Sequence, residues 1–441
     1  MSSGDFASAT RWTEAQLQRL AWAILLAAFA ACAGLAVLVP WQTVIYLRTA
    51  HVGTATRAAA LVGTLLLRRS AGEEPVAITP GNVHPRVLEG DLVIADSQSQ
   101  GLLIFSEPAP APARDLATVQ IYPNTQVEIR RARYPRFAVS PEPARILLYV
   151  SIGRVRITRL EGSRALHLVV QTPHGQAEVL SGTLAVEVQN ERTDFTVRGG
   201  ISRVQGRGSI QELRRDQRAR IGLDGRVEGP LGAGRNLLPD LFQAPLPERD
   251  PEGPAPPNQW AIFNFVKQPG EPAGRVAQTA EAGRRALTLA RTGFDHAQTG
   301  VFLILNQDVR DFRSLQLHIS LKILAQEVAV CGVVGTECPL MIRLEYKDVN
   351  GNDRQWLQGF YAIGEVTPQT PDRCLPQVCP PPYNPHVRVP LGEWYTFDSG
   401  NLMETLRAAG APPATLTRLR IYASGHSYAV MFSELELIGE E

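Results

Sequence analysis

The chain has 441 residues, of which 44% are hydrophobic and 20% charged, with a formal net charge of +1. That length supports two or three domains, each with its own core. The charge balance excludes both a disordered chain and a whole-chain polyanion binder.

The first predicted element is a membrane span over residues 20–47. Residues 20–39 contain no charge, and about twenty apolar residues match the hydrocarbon thickness of a bilayer. Trp22, Trp41 and Tyr46 lie toward the ends and Arg19 and Arg48 bracket the stretch, as interfacial residues do. Residues 1–19 are expected to form a short cytoplasmic tail. Arg48, Arg57, Arg68 and Arg69 follow the span and only Arg11 and Arg19 precede it, so the positive-residue count opposes export of the remainder. The cysteines argue the other way. Cys32 lies within the span, whereas Cys331, Cys338, Cys374 and Cys379 form two short-spaced pairs. Such pairs are expected as two disulfides, which need an oxidising compartment. A zinc site is the alternative, at spacings looser than those of zinc knuckles. Residues 50–441 are therefore expected on the extracytoplasmic side of a bacterial cell membrane.

Short segments of strand character then follow one another between residues 58 and 223. Many alternate apolar with polar, as in Arg154-Val155-Arg156-Ile157-Thr158, so that every second side chain faces a core. Glycine and proline separate them and no helical period intervenes, which predicts an all-β domain over residues 55–228. Residues 229–257 are rich in glycine and proline, ending in LPERDPEGPAPP, and predict a stiff linker. Strands resume over residues 258–441, with one helix expected at 401–409. Asn350-Gly351 between two of the strands predicts a type I′ hairpin. This second all-β domain is expected to be a jelly-roll-like sandwich of two sheets.

The first domain resembles the FecR-type extracytoplasmic domain of bacterial envelope proteins. The residues that carry the resemblance are ILLYVSIGRVRI at 146–157, HLVVQTPHGQAEVLSGTLAVEV at 167–188, FTVRGGISRV at 195–204, and the strand at 218–227. Its glycines Gly153, Gly175, Gly182 and Gly200 fall where strands reverse or bulge. The resemblance implies a β fold and a place in the cell envelope behind a single membrane helix, and it transfers no binding residue. Members of the family that relay signals to sigma factors carry a cytoplasmic regulatory segment, and the nineteen residues before the span are too few to fold one. The second domain is similar to β-sandwich carbohydrate-binding modules, through YASGHSYAVMFSELELIG at 422–439 and NQDVRDFRSLQLHISLKI at 306–323.

Aromatic residues concentrate in this last domain, and flat rings bind sugars by stacking on their apolar faces. Trp356, Gln358, Tyr361, Trp394 and His426 form the candidate ligand cluster, although alternate residues of one strand such as Trp356 and Gln358 share a face that can instead be core. Asp348, Asn350 and Asp353 offer oxygen ligands to calcium, or simply the polar tip of a hairpin. The first domain is basic, with eighteen arginines against twelve acids between Asp115 and Glu228, whereas residues 255–441 carry sixteen basic and nineteen acidic residues. The arginines can meet anionic lipid or an acidic wall polymer, or line a solvated face. No metalloprotease, nucleophile-elbow or phosphate-loop motif occurs. The expectation is a non-enzymatic, membrane-anchored protein with no cofactor and no nucleic-acid partner. Its sandwich binds a glycan or wall polymer; the alternative is a signal sensor or scaffold for protein partners.

Overall fold

A computed structural model describes residues 13–70, 72–108, 114–161, 164–242, 245–364 and 384–441. Cys374 and Cys379 lie outside the described residues. The chain divides into two compact units, Met1–Val52 with Tyr134–Pro143, and Gly53–Arg133 with Ala144–Glu441.

The first unit is built on one helix, Glu14–Thr49, of 36 residues. It begins earlier than the apolar run because Gln16 Oε1 accepts the Thr13 N–H at 3.0 Å, which satisfies a free donor at the helix start. At 1.5 Å per residue it is about 54 Å long, against about 30 Å for a bilayer core. None of its residues is buried, and Leu25, Leu26 and Phe29 are 62%, 62% and 71% exposed. At its C-terminal end Tyr46 meets Phe137 edge-on at 5.6 Å and accepts a hydrogen bond from Arg136 at 3.1 Å.

In the second unit the structure is almost all β, as the alternation predicts. Sixteen strands of the N-terminal half are hydrogen-bonded into one sheet. The residues on either side of Gly153 form one continuous strand, Ala144–Arg159. This strand changes partners at the glycine: Arg145–Ile152 pair with the strand Thr125–Pro135, and Val155–Arg159 with Asp115–Ile121. Gly153 takes φ +94°, and a Cβ there would meet the Asn124 carbonyl oxygen at 2.5 Å, so the bend requires glycine. Gly182 and Gly200, paired across neighbouring strands, do the same at φ +71° and +74°.

A β-sandwich of two six-stranded sheets follows, with eleven of its strands between Ala261 and Glu440. The first contains Arg275–Glu281, Arg284–Arg291, Tyr428–Glu440, Ser314–Gln326 and Tyr395–Asp398 in that order, with Arg235–Asn236 added on Tyr428–Glu440. The second runs Ala261–Val266, Ala297–Asp308, Pro413–Gly425, Leu340–Asp348, Asp353–Tyr361, Val387–Arg388. Leu289, Leu317, Leu321, Leu303, Leu344 and Phe432 fill the space between them, each contributing about 1.5–3 kcal/mol by leaving water. The expected helix is Leu402–Ala408, with the Asn401 side chain accepting the Met403 N–H at 3.1 Å. The hairpin after Asp348 is present, but its turn is not type I′. Its loop spans four residues, and the Gly351 N–H donates to Asp348 O, so the central turn residues are Val349 and Asn350, neither of which has the positive φ that type I′ requires.

The outer face of the first sandwich sheet packs on the N-terminal β region through charged groups. Arg156 pairs with Glu436 at 2.7 Å, and Asp398 accepts from Gln120 at 2.5 Å, from Tyr122 at 3.2 Å and pairs with His318 at 2.9 Å. Arg284 approaches Glu434 at 3.2 Å. A bulge opposite His318 and Ser320, with Glu434 at φ +51°, re-aims these carboxylates into the junction.

Candidate functional site

The five residues selected from sequence do not come together. Trp356, 2% exposed, fills the core between the sheets, so it offers no ring to a ligand. Gln358 is buried and donates to the Pro385 carbonyl at 3.0 Å. Tyr361 lies on the outer face of the second sheet, yet it is buried with Phe263, Phe302 and Tyr422. The short helix Cys331–Val334 covers it, where a Cβ on Gly332 would meet the Tyr361 ring at 2.5 Å. Trp394 is half-buried on the other sheet, donating to Glu281 at 2.9 Å beneath the Arg284 guanidinium. His426 alone lies on an accessible loop.

Asp348 has no oxygen left for calcium. Its Oδ1 accepts the main-chain N–H groups of Asn350 and Asn352, and its Oδ2 accepts from Asn352 Nδ2 and from Arg354 Nε at 3.0 Å. Burial opposes ionisation, but these donors prevail and hold the carboxyl at about 2. Asp353 is engaged by Lys347 at 2.8 Å. The hairpin reading replaces the calcium one, because the carboxylate organises its own turn. Cys331 and Cys338 are joined in a disulfide. His386 stands beside them, but its Nδ1 accepts the Gly359 N–H at 3.0 Å, so neither sulfur nor that nitrogen is free for zinc.

What the fold does assemble is a cluster at the loop end around His426. Phe294 is 89% exposed and Phe265 50%, the latter meeting the His296 ring edge-on at 6.3 Å. Glu337 lies 3.1 Å from His296 and 3.7 Å from His426. The main-chain N–H of His296, helped by Lys267 at 3.7 Å, holds the Asp295 carboxyl below its usual range. Beneath these groups the Arg291 side chain is fully buried. It donates to the Pro272, Asp295 and His426 carbonyls and to Glu271 at 2.8 Å. Glu271 in turn accepts the Phe294 N–H at 2.9 Å. One guanidinium therefore ties three loops together, and its planar fork suits that task. The exposed Phe294 ring is presented from a fixed loop. Sequence reading missed Phe265 and Phe294; the available signal was an aromatic residue inside a Gly293-Phe294-Asp295 turn.

No protein-family model matches the chain, and no curated protein matches it. Parts of it are similar to solved structures. A structure described as an anti-sigma factor from Parabacteroides distasonis is 16% identical over 31% of this chain and 57% of its own, with a TM-score of 0.23. The chain thus spans little more than half the length of that protein. The family 11 carbohydrate-binding module of Clostridium thermocellum, solved with a mixed-linked tetrasaccharide, is 12% identical over 46% of this chain and 95% of its own, with a TM-score of 0.25. A xylan-binding domain from Paenibacillus barcinonensis is 14% identical over 42% and 87%, with a TM-score of 0.23. None of these likenesses bears on what this chain binds.

Proposed function

We propose that this is a non-enzymatic, membrane-anchored envelope protein whose sandwich binds a glycan or wall polymer through the loop-end cluster. The observation that carries the binding reading is the exposed Phe294 ring, on a loop fixed by the buried Arg291, with the half-exposed Phe265 against the ring of His296. Exposed rings supply stacking surfaces for the apolar faces of sugars. Glu337, Asp295, His296, His426 and Lys267 supply acceptors and donors for hydroxyls around them. Rigid presentation lowers the ordering cost of binding. The anchor rests on the apolar helix Glu14–Thr49, none of whose residues is buried, and which needs an apolar surrounding.

The test is binding of the full-length protein in detergent to an array of bacterial and plant polysaccharides. Saturable binding that Phe294→Ala abolishes supports the reading. Silence across the array, with a stoichiometric protein co-purifying and released by the same substitution, transfers the cluster to a protein-binding sensor or scaffold.

A further inference from the structure

Where the N-terminal β region meets the first sandwich sheet, a cleft of about 830 Å³ opens. Arg159, Arg164, Arg198, Arg215, Arg284 and Arg285 line it, against four acids. Two of those acids are already engaged, Glu434 with Arg284 and Glu436 with Arg156. Arg159 and Arg198 donate to main-chain carbonyls instead, of Val179 at 3.1 Å and Gly234 at 2.8 Å. Each carbonyl takes one N–H and brings no charge, and the acids that act on these guanidiniums, Glu178 on Arg159 and Glu436 and Asp216 on Arg198, are themselves paired with Arg203, Arg156 and Arg215. Burial, reinforced by Arg156, pushes the Arg198 guanidinium down from its usual range. The Arg284 side chain is 4% exposed, and its Nε has no hydrogen-bond partner among the described residues. Arg198 also lines a second cleft of about 280 Å³, with Arg192, Arg218 and Arg220. Part of the first cleft is walled by Gly182, Gly199 and Gly200, and at Gly199 a Cβ would meet nothing closer than the Thr183 nitrogen at 4.0 Å, so that stretch of wall stays open.

We propose that the larger cleft binds an anionic glycan, bearing uronate carboxylates or phosphates, with Arg159 and Arg198 as its oxyanion ligands and Arg285 at the mouth. Guanidinium forks match carboxylate and phosphate oxygens in pairs. The volume lies within the roughly 300–1,000 Å³ usual for ligand clefts. A lone phosphate fills little of it and a bilayer surface is flat, so an extended anionic chain is the occupant that fits. This site is separate from the loop-end cluster. Arg284 and Arg291 begin and end the same strand, about 24 Å apart at about 3.4 Å per residue.

The full-length protein in detergent is titrated at low salt with oligogalacturonate, linear polyphosphate and a neutral glucan. At least one anionic probe binds saturably, with about tenfold loss for Arg198→Gln and for Arg285→Gln, as expected for one charge-assisted contact. Which probe binds separates uronate from phosphate. Phe294→Ala leaves this binding unchanged, so failure of one site is distinguishable from failure of the other. Arg198 is half-buried, so its variant is checked by circular dichroism; if it is unfolded, the exposed pair Arg215→Gln and Arg285→Gln decides the matter. Absence of saturable binding by both anionic probes overturns the proposal. Equal binding by the wild type and the Arg215/Arg285 double variant does so too. Binding to vesicles of phosphatidylglycerol without binding to either soluble chain also overturns it, making the arginines a membrane-contact surface.

Discussion

The Arg156 guanidinium lies 2.7 Å from the Glu436 carboxylate, with side chains only 6% and 12% exposed. It joins the longest strand of the N-terminal β region to the last strand of the sandwich. Losing one partner strands the other as an uncompensated buried charge. Glu436→Gln is therefore expected to lower stability by about 3–5 kcal/mol. The double variant with Arg156→Met should recover part of that loss. Urea denaturation measures it, and strictly additive losses would show that the two groups do not act as a pair.

The same junction sets a pH window. Burial disfavours ionisation of Asp398 and Glu434, but His318 and Arg156 facing the first, and Arg284 and His318 facing the second, prevail and lower both carboxyls, Glu434 to about 2. Their stabilisation is present above the unfolded values of 3.8 and 4.5 and is lost as pH falls through the folded ones. Burial and Arg156 oppose protonation of His318, but Asp398 and Glu434 raise it above 6.5. That contribution is full below 6.5 and is lost as pH rises through the folded value. Thermal unfolding should thus be most favourable to the fold between about pH 4.5 and 6.5, declining on both sides. His318→Gln should remove the alkaline decline and, because His318 helps to lower Asp398 and Glu434, should also move the acid decline to higher pH; an unchanged alkaline limb would dissociate the histidine from it.

Arg291→Lys removes the guanidinium fork that holds the three loops and keeps the charge. Hydrogen bonds from charged groups contribute about 1.5–3 kcal/mol each, so a stability loss of a few kcal/mol is expected. Faster amide exchange should follow at Gly293, Phe294 and His426. Wild-type exchange at those three amides would show that the loops are held by other contacts.

The Cys331–Cys338 disulfide closes a short loop, with a sequence separation of 7. Replacing both cysteines by serine is expected to cost about 2–3 kcal/mol on the chain-entropy account. Thiol labelling of the unfolded, unreduced protein should reach Cys32 and spare this pair. Labelling of Cys331 and Cys338 would remove the argument for an oxidising compartment.

Replacing Leu25 and Leu26 by arginine should release the protein from membranes into the soluble fraction, because each charge costs roughly 2.5–3.5 kcal/mol near the centre of a span. Retention of the variant in washed membranes would point to a different anchor.

The apolar helix and the β character of the rest were legible in the sequence, because both are local. An uncharged run of twenty residues and a period-two alternation reveal themselves without a partner. The helix at Leu402–Ala408 was likewise marked by its own cap, Asn401. The merging of strands at Gly153 was not legible, since a glycine marks a turn and a bulge equally well. Trp356 and Phe294 are the clearest contrast. Residue type favoured the tryptophan as a ligand platform, yet the packing of two sheets buries it, while Arg291 and Glu271 fix the phenylalanine in the open. Which face of a strand meets another sheet, and which charges converge from distant strands, depends on contacts between residues far apart in the chain. Local pattern therefore determined what each segment becomes, and only the tertiary structure decided which side chains remain available to a ligand.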